Sequence, residues 1–297
     1  MTTGENSVVY MDNNATTMVA PEVIEAMMPY LTAYYGNPSS MHTFGGQVGE
    51  AVSKAREEVA QLLGCETDEV TFTSCGTESD STALLSALRA VPDKRHIVTT
   101  RVEHPAIKNL CDNIRSFTGH KYKVTRLKVS DEGLLDLDEY AKALTDDTAI
   151  VSVMWANNET GVIFPVAEMA QMAKNRGILF HTDAVQAVGK VPINLQELDI
   201  DYLSMSGHKL HAPKGIGVLY VKKGTAYVPF MSGGHQEGGR RGGTENVASI
   251  VALGRACRLA ADMMEKENTA VKQLRDKLEN GLLGSIPRSM LNGNKQN

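Results

Sequence analysis

The chain lacks paired cysteines, long apolar runs and a strong charge of either sign, and each shortage excludes something. Its four cysteines, Cys65, Cys75, Cys111 and Cys257, are widely spaced with no C-x-x-C pair. No disulfide framework or metal ligand set is read from them, and reduced thiols in a cytoplasm are the simplest setting. No apolar stretch approaches the ~18 residues that a membrane-spanning helix needs. The formal net charge of -5 over 297 residues offers no global attraction to nucleic acid or to an anionic membrane. Residues 1–6 show neither a basic nor an apolar region, which argues against a secretory signal. No G-x-G-x-x-G follows an early strand with an acidic residue after it, so an NAD(P) oxidoreductase finds no support.

What is present has the balance of a soluble globular protein, with 42% hydrophobic and 22% charged residues. Strand-like runs at 70–73, 96–100, 149–154 and 178–181 alternate with helical spacing at 78–90, 106–118 and 166–176, the last ending at Gly177. The repeat predicts an α/β fold, a mainly parallel central sheet with helices on both faces. The runs at 202–205 and 217–221 are joined by too few residues for a crossover, so they are expected to pair antiparallel. A long helical pattern from 247 to about 283, broken or kinked before Pro287, would link this large domain to a second one. The expected division is 1–16 as an N-terminal segment packing with a small domain, 17–262 as the large domain, and 263–297 as the start of an incomplete small C-terminal domain.

The chemistry concentrates at predicted strand ends. Ser206-Gly207-His208-Lys209 presents a lysine in a tight turn, and Asp183 closes the 178–181 strand with Gln186 three residues on. A lysine to condense with an aldehyde and an aspartate to keep a pyridine nitrogen protonated together suit pyridoxal 5'-phosphate (PLP). Alone, Lys209 could be a solvated surface lysine and Asp183 a helix cap. Gln186 could serve the neighbouring phenolic oxygen. Cys75-Gly76-Thr77-Glu78, at a strand-to-helix junction, suits either a phosphate on the helix N-terminus or a capping box with Thr77 as cap. The stretch Gly238 to Asn246, with Arg240, Arg241 and Thr244, could bind an anion or be a flexible loop whose Thr244 or Asn246 caps the next helix. His104 could stack on a planar cofactor or be a hydrogen-bonded structural histidine. Asn157 ends the 149–154 strand and would reach into the site, and Asn37, in the turn Asn37-Pro38-Ser39-Ser40, is a weaker substrate contact. All four cysteines read as structural.

Taken in order, Met11 to Thr17, Gly36 to His42, Phe72 to Asp80, Val102 to Pro105, Ala156 to Gly161, His181 to Gln186, Ser206 to Lys209 and Arg240 to Asn246 resemble a cysteine desulfurase. More narrowly, Thr73 to Asp80 and Val153 to Glu159 resemble the NifS type serving nitrogenase iron–sulfur assembly. The resemblance implies fold-type I PLP-dependent transferase architecture, a cytoplasmic homodimer, and PLP held by Lys209. His104 would stack on the ring and act in catalysis, Asp183 would pair with its nitrogen, and Gln186 and Asn157 would face its phenolic oxygen. Gly76, Thr77, Ser206 and His208 would hold the phosphate, with Thr244 supplied by the other subunit. L-cysteine would be the substrate, L-alanine the product, and an iron–sulfur scaffold protein of the NifU type the sulfur acceptor.

The family's persulfide cysteine and carboxylate-binding arginine belong to a C-terminal domain whose motifs do not occur here, so the sequence is expected to be C-terminally truncated. The alternative is a PLP-binding but desulfurase-inactive chain acting through dimerisation or partner docking. Aminotransferase or selenocysteine lyase chemistry is a further enzyme reading of the same lysine–aspartate pair.

Overall fold

The computed structural model describes residues 9–295. Before the sheet come α1 (Pro21–Met27), α2 (Pro29–Thr32) and α3 (Thr43–Leu63). The central alternation is β1 (Val70–Thr73), α4 (Gly76–Ala90), β2 (His96–Thr100), α5 (Pro105–Phe117), β3 (Lys123–Leu127) and α6 (Leu137–Ala143). It continues as β4 (Thr148–Ser152), α7 (Val166–Lys174), β5 (Leu179–Asp183), β6 (Tyr202–Ser206) and β7 (Gly217–Val221). Last come α8 (Val247–Lys266) and α9 (Lys272–Ser285).

The seven strands form one sheet in the order β1-β7-β6-β5-β4-β2-β3. β7 runs antiparallel to both neighbours, as its short connection to β6 requires, and the other pairs are parallel. Consecutive residues of one strand feed two different cores. Val98, Val151 and Val218 join the cluster that holds α3, α7 and α8, while Ile97, Ile150 and Leu219 join the one beneath α4 and α5. A sheet covered on both faces explains why its central strands read as unbroken apolar runs.

The short or polar elements escaped the sequence reading. β3 is an edge strand with one exposed and three half-buried residues, so its KVTRL lacks the apolar signature. α6 has a single buried residue, Tyr140, and α3 is carried by Val48, Val52, Val59 and Leu63 at helical spacing. α3 and α8 pack closely at Gly254, where a Cβ would lie 2.6 Å from Ala55 Cα. Only glycine allows that approach.

The predicted break in the C-terminal helix is a π-helical turn, Glu267–Val271, that joins α8 to α9. The boundary expected at 262/263 therefore falls inside α8, and no residue of α9 is buried. Residues 1–8 of the expected N-terminal segment lie outside the described residues. Of the rest, Asn14, Ala15 and Thr16 hydrogen-bond to Asn158, Gln186, His208 and Lys209. Among the described residues, no helix is long and apolar enough to cross a membrane.

Candidate active site

The carboxyl ends of β4, β5 and β6 open into a cavity of about 500 Å³, the position where open α/β sheets bind ligands. Its lining includes Gly76, Thr77, His104, Asp183, Gln186, Ser206, His208 and Lys209, eight of the residues the sequence singles out.

Strand geometry sets the pair at its centre. Thr182 and Asp183 pair with Leu203 and Ser204, and β6 then turns at Ser206 into the 3-10 turn Gly207–Lys209. Lys209 Nζ donates to the carbonyls of Asn14 and of Ala15, the latter at 2.9 Å. Burial lowers the Lys209 pKa, while Asp183 and Asp12 act in the opposite direction. The Asp183 carboxyl is buried, and its Oδ1 accepts from Val185 N at 3.0 Å. Burial raises its pKa, opposed by the Val185 bond and by His104 and Lys209. No helix follows, so the bond to Val185 is a local turn and not a helix cap.

The phosphate-side alternatives resolve at α4. That helix begins at Gly76 with Cys75 as N-cap and no side-chain cap, so Thr77 lies inside the first turn. Glu78 instead accepts from Ser74 N at 2.7 Å and pairs with Arg241. The first-turn amides are left uncapped by any side chain at the cavity rim, a ready anion site. Gly217 brings β7 against this turn, since a Cβ there would lie 2.7 Å from the Cys75 carbonyl carbon. His208 Nδ1 meets Thr16 Oγ1 at 3.1 Å, and Gln186 Nε2 donates to the Asn14 carbonyl at 2.9 Å. His104 caps α5, its Nδ1 accepting from Ala106 N at 3.2 Å, which leaves the proton of the neutral ring on Nε2.

The other residues that the sequence singles out here lie outside the cavity lining. Asn157 is buried beside the cavity but does not line it, because Oδ1 accepts from Glu159 N and Thr160 N while Nδ2 donates to Val102 O and Met154 Sδ. The strand-end turn consumes its amide. Asn37 lies outside the cavity, with Oδ1 accepting from Ser39 N at 2.9 Å in its own turn. Thr244 lines a separate pocket beside Thr73, Ser74 and Gly215. The loop arginines are committed within the chain, Arg241 to Glu78 at 2.9 Å and Arg240 to the Asp68 carbonyl at 2.6 Å. An adjoining glutamate, Glu237, forms a two-pronged bond with Arg56 at 2.7 and 2.8 Å and accepts from Phe72 N. The 238–246 stretch is therefore tied down and not free.

The sequence reading missed three buried groups below the cavity. Glu103 accepts from Thr100 Oγ1 at 2.7 Å and Met154 N at 3.0 Å. His181 bridges Ser152 Oγ and Ser204 Oγ, and Asp80 on α4 lines the cavity beside Asp183. Asp80 lies two residues after Glu78, beyond the first turn of α4, where a lone acid carries no signal in the sequence. Burial pushes Glu103 up to about 8 despite the Thr100 and Met154 bonds. Its folded value thus exceeds its unfolded value of about 4.3. The unfolded chain loses this proton first as pH rises, so the contribution to stability is full below about pH 4 and is lost on approaching about 8. Glu103→Gln should therefore unfold with less pH dependence. Calorimetry at about pH 5 and about pH 8 should show wild type losing several degrees more of Tm than the variant between the two, and equal losses would contradict the assignment.

These residues accept PLP on the structure's own terms. A buried carboxylate faces a cavity of suitable size, a lysine amine shares it, and an uncapped helix N-terminus borders it. Comparison with known proteins agrees. Residues 9–297 match the family model described as aminotransferase class-V. The chain is 58% identical over 290 residues to a protein named cysteine desulfurase NifS from Azotobacter vinelandii, covering 97% of this chain and 71% of that one. A solved structure titled NifS-like protein superposes with a TM-score of 0.89 at 41% identity, covering 93% of this chain and 76% of that one. Another, titled SspA in complex with cysteine, gives 0.80 at 36% identity, covering 84% and 72%. The chain belongs to the aminotransferase class-V family and is a PLP-dependent enzyme of fold type I. Within that family it is of the NifS cysteine desulfurase type.

Proposed function

We propose that the protein catalyses the conversion of L-cysteine to L-alanine, the sulfur being carried as a persulfide to iron–sulfur cluster assembly, including that of nitrogenase. A thiolate other than those of Cys65, Cys75, Cys111 and Cys257 attacks the substrate sulfur. The C–S bond breaks, and its electron pair passes to the substrate carbon and is protonated there. The observation that carries this reading is that Lys209 and Asp183 line one cavity with the open N-terminus of α4 at its rim. PLP supplies an electron sink for the substrate's Cα electrons. The chain's residues do the rest. Gly76 and Thr77, with Ser206 and His208, hold the phosphate where helix amides and hydroxyls converge. Asp183 keeps a proton on the ring nitrogen by charge, and Gln186 borders the ring's oxygen side. His104 would stack on the ring, and with Nδ1 accepting from Ala106 N its Nε2 would be the nitrogen that faces a bound amino acid. Lys209 holds the cofactor and, when released, moves the Cα proton with an amine whose basicity burial has reduced.

A cytoplasmic homodimer completes this reading. Thr244 lies outside its own chain's cavity, which supports the proposal that it serves a second protomer. A scaffold protein of the NifU type is the proposed sulfur acceptor. The test is to load the purified protein with PLP, add L-cysteine with a thiol reductant, and follow alanine and sulfide together. Stoichiometric alanine and sulfide support the proposal. PLP uptake without alanine refutes it and leaves a cofactor-binding chain that acts through association.

A further inference from the structure

Asp80 is unexplained by the roles above. Its side chain is 2% exposed, it lines the cavity, and Oδ1 has no hydrogen-bond partner among the described residues. His181 Nε2 stands 3.6 Å from that oxygen, yet both ring nitrogens are engaged by Ser152 and Ser204 at 2.8 and 3.0 Å. Burial pushes His181 down to about 3, so the ring is neutral and supplies no counter-charge. The charged or titratable groups around Asp80 are Asp183, Glu103, Cys75 and His181, with Lys209 and His104 nearer Asp183. Three buried carboxyls, of which Asp183 alone has a lysine, Lys209, acting on it, cannot all ionise, because like charges in a desolvated site repel strongly.

The donors decide which acid keeps its charge. Asp183 has the Val185 amide and the field of His104 and Lys209, whereas burial and the charge of Asp183 outweigh the Ser204 hydroxyl at Asp80. We propose that Asp80 is a positioning residue whose protonated carboxyl stands beside Asp183 and limits the cavity floor to a single negative charge, the one that faces the cofactor's ring. The inference rests on the PLP reading for its purpose, but the proton itself belongs to the unloaded chain.

Two measurements test it. First, the infrared difference spectrum of unloaded wild type minus Asp80→Asn at neutral pH should contain the C=O stretch of a protonated carboxyl, shifted in heavy water. Its absence overturns the proposal. Second, the pH midpoint of the visible absorbance of the PLP-loaded protein should be little changed in Asp80→Asn, a neutral isostere, but disturbed in Asp80→Glu, whose longer arm crowds Asp183. A displacement of about one pH unit or more in Asp80→Asn, the size expected for removing a neighbouring charge, overturns it as well. If Asp80→Asn does not fold, the carboxyl band is read in PLP-loaded Glu103→Gln, and no band there counts against the proposal. A wild type that takes up no PLP defeats the cofactor reading, while the infrared result on the unloaded protein still decides the question of Asp80.

Discussion

Lys209→Ala should take up PLP without covalent attachment. After borohydride reduction and digestion, wild type should carry a pyridoxyl label on the peptide containing position 209, and the variant should carry none. Lys214 also lines the cavity, so the experiment discriminates between two amines. The structure favours Lys209 because its turn is braced on both sides, by β6 before it and by the Asn14 and Ala15 carbonyls across it. Turnover of L-cysteine should fall about 10³-fold or more, since the same amine is assigned the Cα proton transfer. A label retained on Lys214, or turnover within tenfold of wild type, would move the chemistry to another residue.

Asp183→Asn should separate binding from catalysis. The amide preserves shape and the Val185 hydrogen bond but cannot hold a proton on the ring nitrogen by charge. We expect kcat to fall about 10²- to 10³-fold, the range typical of losing one preorganised electrostatic contact. PLP affinity should change far less, because the phosphate is assigned to α4 and the 206–208 turn. Thermal unfolding of the unloaded protein should be no earlier than in wild type, since the amide removes the desolvation cost of a carboxylate buried at the cavity floor. Fluorescence titration with PLP and steady-state kinetics check the two halves. A kcat near that of wild type would sink the role given to Asp183.

Much of the site was legible because strand ends announce themselves. Asp183 and Ser206 close apolar runs, and Gly76 opens a helix, so order along the chain already placed their side chains at one edge of the sheet. Residues whose importance comes from contacts across the sheet were not. His181 reads as one polar residue in a strand, and only the flanking Ser152 on β4 and Ser204 on β6 reveal a buried row. Asn14 lies 195 residues from the amine it holds, a separation at which sequence pattern says nothing. Asn157 shows the opposite limit. Its position was foreseen, but the side chain serves the turn it sits in before it can serve a ligand.

The antiparallel ladder between β6 and β7 has one last consequence. Ser206 faces Gly217, so the loop carrying Lys209 leaves and re-enters the sheet at facing rungs, one strand away from Asp183. The span between amine and carboxylate is thereby dictated by backbone spacing, as if by a fixed gauge. Relatives could lengthen or reshape their outer loops freely while that gauge, and the size of planar ring it admits, stayed the same.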